Sequence, residues 1–175
     1  VLEELRIRIA EVERLVAPSA PLAPLPAKNF TALLVDVRGT LAAIALDSVE
    51  EVVPYASLTP IPEAPRWAAG VLNLGGQAIY VIDVAARILG DEHRPSAQDF
   101  IVICHLLDRS IGLCVTGLQG VETFAPQAVA AASVDVVAAR YMIGTISHQG
   151  VAVLFLSVEQ LFRASAVPVN LEIIS

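Results

Sequence analysis

Hydrophobic and polar positions change their period along this chain. In residues 1–16, VLEELRIRIAEVERLV, the apolar positions Leu2, Leu5, Ile9, Val12 and Val16 recur at alternating spacings of three and four, with Glu and Arg on the remaining faces. This predicts a short amphipathic helix with a heptad-like seam. Two heptads do not sustain a coiled coil alone, so the segment either docks on its own domain or continues a longer upstream helix. Over 17–27 the pattern disappears: Pro18, Pro21, Pro24 and Pro26 fix φ and lack N–H groups, which suits an extended linker. A domain boundary is expected near Lys28, with the folded domain running over 28–175.

From Phe30 the period falls to two. FTALLVDVRGTLAAIAL reads as two strands about the turn Val37 to Thr40, and DFIVICHLLDRSIGLCVTG, displaced by 70 residues, reads as two strands about Asp108 to Ser110. Each hairpin is followed by a short segment (VEEVV, LQGVETF), a proline-bearing loop, and a strand, turn, strand, helix unit. The latter is GVLNLGGQAIYVIDVAARILG in one copy and GTISHQGVAVLFLSVEQLF in the other, now offset by 74. Two units, about 30–95 and 96–165, each with roughly five short strands and a terminal helix, predict an all-β fold of tandem barrel-like copies. Each has a modest core, so the two are expected to pack on each other.

The repeat assigns individual residues. Asp83 and Ser157 fall at the same place before VAARIL and VEQLF, which makes them helix N-caps, and Ser157 with Gln160 forms a capping box. Gly90 fits a left-handed C-terminal position. In the turns LGGQ and HQGV only the second glycine recurs, so Gly76 and Gly150 are expected at positive φ. Gly75, opposite Gln149, is then not demanded by the turn.

Composition narrows the function. The chain has 175 residues, 55% of them hydrophobic, and a positive mean hydropathy, yet its densest apolar run, VAVLFL at 151–156, has the length of a strand. A spanning helix needs about 18 apolar residues or more, so no membrane insertion is expected. Eleven basic against 18 acidic residues give a net charge of −7 with no Lys/Arg cluster, which disfavours nucleic acid as a partner. The sequence begins at Val1 rather than methionine, which leaves room for an upstream segment. A three-residue hairpin loop would place Cys104 directly opposite Cys114 and permit a disulfide. With two cysteines and no signal peptide, a reduced cytosolic pair is the reading adopted.

Catalytic and metal chemistry find little support. His93, His105 and His148 lack ligand spacing, and Cys104 and His105 point to opposite faces of one strand. GVLNLGG matches neither a phosphate loop nor G-x-G-x-x-G, no G-x-S-x-G elbow is present, and Glu50 and Glu51 alternate faces if extended. No enzyme activity, metal or cofactor is expected.

The stretch VEEVVPYASLTPIPEAPRWAAGVLNLGGQAIYVIDVAARIL resembles the signature of the CheW family of bacterial chemotaxis coupling proteins. In that family a Glu-containing segment, a proline loop and G-V-x-N-x-x-G precede a hydrophobic strand, an Asp and a short helix. SIGLCVTGLQGVETF to YMIGTISHQGVAVLFLSVEQLF resembles the family's second half, so the likeness runs from about Phe30 to Phe162. It implies two five-stranded SH3-like β-barrels related by a pseudo-two-fold. It also implies a cytoplasmic adaptor, associated with receptor arrays, that links chemoreceptor cytoplasmic tips to the regulatory domain of a CheA-type histidine kinase. The groove taken by the receptor-tip helix would then involve Val49, Glu51, Val52, Gly70, Asn73, Gly75 and Gly76. The family usually has Arg where Gly75 stands, paired with the Glu that matches Glu51. Its loss, with the N-terminal helix and linker, points to a divergent CheW-like module of a longer array protein of the ParP kind, whose partners include other scaffold proteins. A small-ligand-binding domain using the cleft between barrels is the alternative from another class.

Overall fold

The computed structural model describes residues 23–132 and 137–163. The segment expected to form the N-terminal helix and the first part of the linker lie outside the described residues; residues 23–29 enter no regular element. The elements in chain order are β1 (Phe30–Val37), β2 (Thr40–Ala45), β3 (Val49–Pro54), β4 (Ala68–Leu74), β5 (Gln77–Asp83), α1 (Val84–Leu89), β6 (Phe100–Leu106), β7 (Arg109–Val115), β8 (Gly117–Phe124), β9 (Val129–Ala130), β10 (Met142–His148), β11 (Val151–Leu156) and α2 (Val158–Arg163). The first sheet is ordered β8-β1-β2-β11-β10-β9 and the second β3-β6-β7-β5-β4. The sheets thus hold six and five strands instead of five each, the sixth being the two-residue β9.

Each sheet takes one hairpin from the other repeat. The hairpin β1–β2, from the first repeat, pairs with β8 and, in parallel, with β11. The hairpin β6–β7, from the second repeat, pairs with β3 and, in parallel, with β5. The sequence repeats at about 30–95 and 96–165 are therefore not the sheet units. After β2 the chain leaves through a 3-10 turn, Leu46–Ser48, and joins β6 rather than folding back on its own hairpin.

The period of two is visible in the packing, and both faces of the central strands are buried. Leu33, Val35 and Val37 of β1 and Ala42 and Ile44 of β2 meet Tyr80, Ile82, Val102, Cys104 and Leu113 in a core shared by the sheets. The alternate positions Ala32, Leu34, Ala43, Val153 and Phe155 fill a core belonging to the first sheet. Ile79, Val81, Ile101, Ile103 and Cys114 do the same for the second. Three cores in so short a chain account for the positive hydropathy without a spanning helix; among the described residues none is long and apolar enough to cross a membrane.

The two repeats reproduce each other's local devices. The Asp83 carboxylate accepts from Ala86 N–H (3.3 Å) and the Ser157 hydroxyl from Gln160 N–H (3.2 Å), as expected of N-caps. Gly90 ends α1 in the left-handed conformation, at φ 65°. The Trp67 carbonyl accepts from Asp83 N–H and the Tyr141 carbonyl from Ser157 N–H, again 74 residues on. A crossing segment is bridged to the strand following each motif glycine, Thr59 to Val71 and Ala130 to Thr145. A side chain at Gly70 would meet the Thr59 carbonyl oxygen at 2.7 Å, and one at Gly144 would run into the Ala130 carbonyl.

Two expectations are corrected. The turn Gly75–Gly76 has φ of 57° and 82°, so both positions, not the second alone, are left-handed, as in a type I′ hairpin. Gln149 (φ 50°) and Arg38 (φ 50°) occupy the first position elsewhere. A side chain at Gly75 is tolerable, then, but strained. The β6–β7 loop has two residues, Leu107 and Asp108, because Leu107 accepts φ 57°. Cys104 consequently opposes Ile111, and Cys114 opposes Ile101. The thiols lie in different cores and are free.

Candidate partner-binding surface

The residues singled out from the sequence fall on the two edge strands of the second sheet. On β3 the pairing shifts between Val49–Cys104 and Glu51–Ile103, a bulge that inserts Glu50. Because of that extra residue, Val49 and Val52 both reach the shared core, where they remain half-buried, while Glu51 is exposed. Glu50 turns instead to its neighbours across the sheet. Its carboxylate accepts from the Ser110 hydroxyl (3.0 Å to each oxygen) and lies 3.1 Å from His105 Nδ1. Serine and histidine both address the carboxylate and not each other, so they do not form a nucleophile and base.

On β4, Asn73 is exposed, and the exposed turn Gly75–Gly76 follows. Gly70 is buried at φ 143° beneath Leu58 and Thr59 and offers a partner no surface; its place is explained by the close approach of that segment. Hydrogen-bonding order separates β3 from β4 by β6, β7 and β5. Val53 and Leu72, one from each edge, nevertheless share the second sheet's core. Among the described residues no cation pairs with Glu51.

Beside Gly76 lies a cavity of about 480 Å³, lined by Val71, Gln77, Tyr80, Ser110, Ile111 and Phe162 among others. Tyr80 is 5% exposed and its hydroxyl has no hydrogen-bond partner. Burial pushes that hydroxyl up to about 12, so it stays protonated. Within the shared core the Arg87 guanidinium lies 3.9 Å from the centre of the Trp67 ring and 4.8 Å from that of Tyr141. Its Nε and Nη2 are buried without hydrogen-bond acceptors, and desolvation lowers its pKa. Sequence reasoning passed over this clamp, although Trp67 and Tyr141 stand 74 residues apart at matching places. It also passed over Leu118 and Val121, exposed apolar residues on β8 whose face is that of Val35 and Leu33.

Residues 31–166 match the CheW-like domain family. This chain belongs to that family. The chemotaxis protein CheW of Thermotoga maritima is 23% identical over 136 residues, which cover 78% of this chain and 89% of that protein. CheW of Rhizobium meliloti is 29% identical over 76 residues, 43% of this chain and about half (49%) of its own length. Among solved structures, the scaffolding protein TtCheW from Thermoanaerobacter tengcongensis superposes with a TM-score of 0.70 at 23% identity, covering 76% of this chain and 92% of that one. The two sheets thus have the CheW fold of two SH3-like barrels. Membership gives the repeat a context: the glycine bridges and helix caps lie inside the matched segment, whereas residues 1–27, with the heptad-like pattern and the proline-rich stretch, lie before it.

Proposed function

We propose that this domain is a non-catalytic chemotaxis adaptor of the cytoplasm, coupling the cytoplasmic tip helix of a chemoreceptor to the regulatory domain of a CheA-type histidine kinase. The observation that carries the reading is the emergence of the shared core at the surface along β3, where half-buried Val49 and Val52 flank exposed Glu51 in a chain matched to the family over 31–166. An apolar strip beside a single charge suits the apolar face of an amphipathic helix. Asn73 and the Gly75–Gly76 turn form the second part of the surface, with Gly70 holding the segment beneath it.

A second reading is favoured by Gly75 and by the lack, among the described residues, of a cation at Glu51: a module that integrates or localises a receptor array within a larger scaffold protein. The test is calorimetric titration of the domain with a receptor-tip helix and, separately, with a kinase regulatory domain. Val52→Ala removes about 1.5 kcal/mol of apolar contact at most and should weaken tip binding up to about tenfold. Gly75→Arg should strengthen it if loss of that charge marks divergence. Binding of neither partner by the unmodified domain would sink the adaptor reading and favour the scaffold module, or a small ligand in the cavity beside Tyr80.

A further inference from the structure

Four strands end the two sheets, and three of them are closed to further pairing. β3 carries Glu50, Glu51, a bulge and a terminal Pro54. β4 is covered where Thr59 pairs with Val71, and β9 has only two residues. Charge, bulge, cover and brevity are the means by which sheet edges avoid aggregation. β8 is different. It has eight residues, exposed without interruption from Leu118 to Thr123, with no Lys, Arg or Pro and a single charge at Glu122. Its one irregularity is a bulge at Gln119, where pairing steps from Leu34–Gly120 to Val35–Leu118. Gly120–Phe124 stays in regular register with Phe30–Leu34, and among the described residues no strand pairs with its outer edge. Val121, 52% exposed, lies within that open edge.

We propose that β8 pairs antiparallel with β8 of a second copy of this chain, about a two-fold axis through Val121. Residues directly opposed in a ladder share a face, so an isologous pairing must be centred on a residue and not between two. Centring on Glu122 would set two carboxylates against each other. Centring on Thr123 runs the ladder into Ala125 and Pro126, and proline has no N–H to give. Centring on Val121 sets valine against valine and Glu122 against Gly120, which leaves the carboxylate room and no like charge opposite. The register follows from this chain's own residues, and that self-complementarity is what selects a second copy over an unrelated strand. The contact is short, so the dimer is weak and concentration-dependent.

Sedimentation equilibrium of the full chain over a wide concentration range tests this. The unmodified protein should show a monomer–dimer equilibrium. Val121→Lys and Val121→Glu, at an exposed site where circular dichroism should show an intact fold, should each weaken association at least tenfold. An equimolar mixture of the two should recover it. Under mild oxidation Val121→Cys should cross-link two copies, since directly opposed residues lie within disulfide reach. Thr123→Cys should not, its two copies being roughly 13 Å apart in this register. A monomer at every concentration, a dimer indifferent to Val121→Lys, a mixture that regains nothing, or equal cross-linking through position 123 would each overturn the proposal.

Discussion

Replacing Gly70 by alanine should cost far more stability than replacing Gly75, although both glycines belong to the same motif and both have positive φ. Gly70 sits at φ 143°, a region essentially closed to residues with a Cβ, where strain is about 1–3 kcal/mol. The added carbon would also lie 2.7 Å from the Thr59 carbonyl oxygen and 2.9 Å from Leu58 Cβ. Part of that obstacle is backbone, held in turn by the Thr59–Val71 bridge whose two N–H···O bonds are 2.9 Å each. Overpacking of this kind costs about 1–3 kcal/mol, so the sum is about 2–6 kcal/mol. Gly75 sits at φ 57° with nothing within 4 Å of the added carbon, the ordinary left-handed region that Gln149 and Arg38 already occupy. Its alanine variant should lose about 1 kcal/mol. Urea denaturation followed by fluorescence of Trp67 gives both numbers, and unchanged m-values would show that the same transition is being compared. Equal losses, or a Gly70→Ala loss below that of Gly75→Ala, would refute the argument that the crossing segment dictates the motif's first glycine.

Arg87→Leu places in α1 the residue found at the matching position of α2, Leu161, and removes two buried N–H groups without acceptors. Those gains offset the lost stacking on Trp67 and Tyr141, so stability should change by less than about 1 kcal/mol, whereas Arg87→Glu should lose several kcal/mol by urea denaturation. Asp83 has its pKa raised chiefly by burial, which means the folded state binds its proton more tightly than the unfolded state. Its contribution is therefore fully present below the unfolded value and is lost as pH rises through the folded one. Asp83→Ser, which keeps the cap as Ser157 does, should flatten that decline above about pH 4 in melting curves taken across pH. Cys104 and Cys114 have thiol pKa values raised mainly by desolvation, Cys104 to about 12, so alkylation at neutral pH should proceed only as fast as the protein opens. Labelling of either at a rate independent of added urea would contradict the assigned burial.

Much of the fold was legible because period two, capping residues and turn glycines are local signals. Asp83, Ser157 and Gly90 were assigned from their positions beside helical patterns, and they act where expected. Pairing between distant segments was not legible. The repeat shows that β1–β2 and β6–β7 are alike, but likeness leaves open which sheet each hairpin enters. The same limit explains the cysteines, since a two-residue loop held by Leu107 at positive φ moves the partner of Cys104 three residues, from Cys114 to Ile111, and sends the thiols to opposite faces. At the surface, Glu51, Asn73 and the Gly75–Gly76 turn are exposed as a contact site requires. Gly70 could be recognised as a motif residue, but its reason lies eleven residues earlier, at Thr59. Arg87 was invisible because an arginine on a helix reads as solvated until the Trp67 and Tyr141 rings beside it are known.

The exchange of hairpins has a consequence for synthesis on the ribosome. The second sheet needs β7, which ends at Val115, before β3 and β5 have their central partners. The first needs β11, at 151–156, before the other edge of β2 is covered, so Ala42 waits for Leu154. The first half of the nascent chain therefore cannot complete its pairing until strands of the second half have been translated. A truncated product would expose unpaired strand edges and the apolar faces behind them, the state from which misassembly starts. With so many pairings between residues far apart in sequence, folding should also be slow for a domain of this size, as loop closure precedes most of the stabilising contacts.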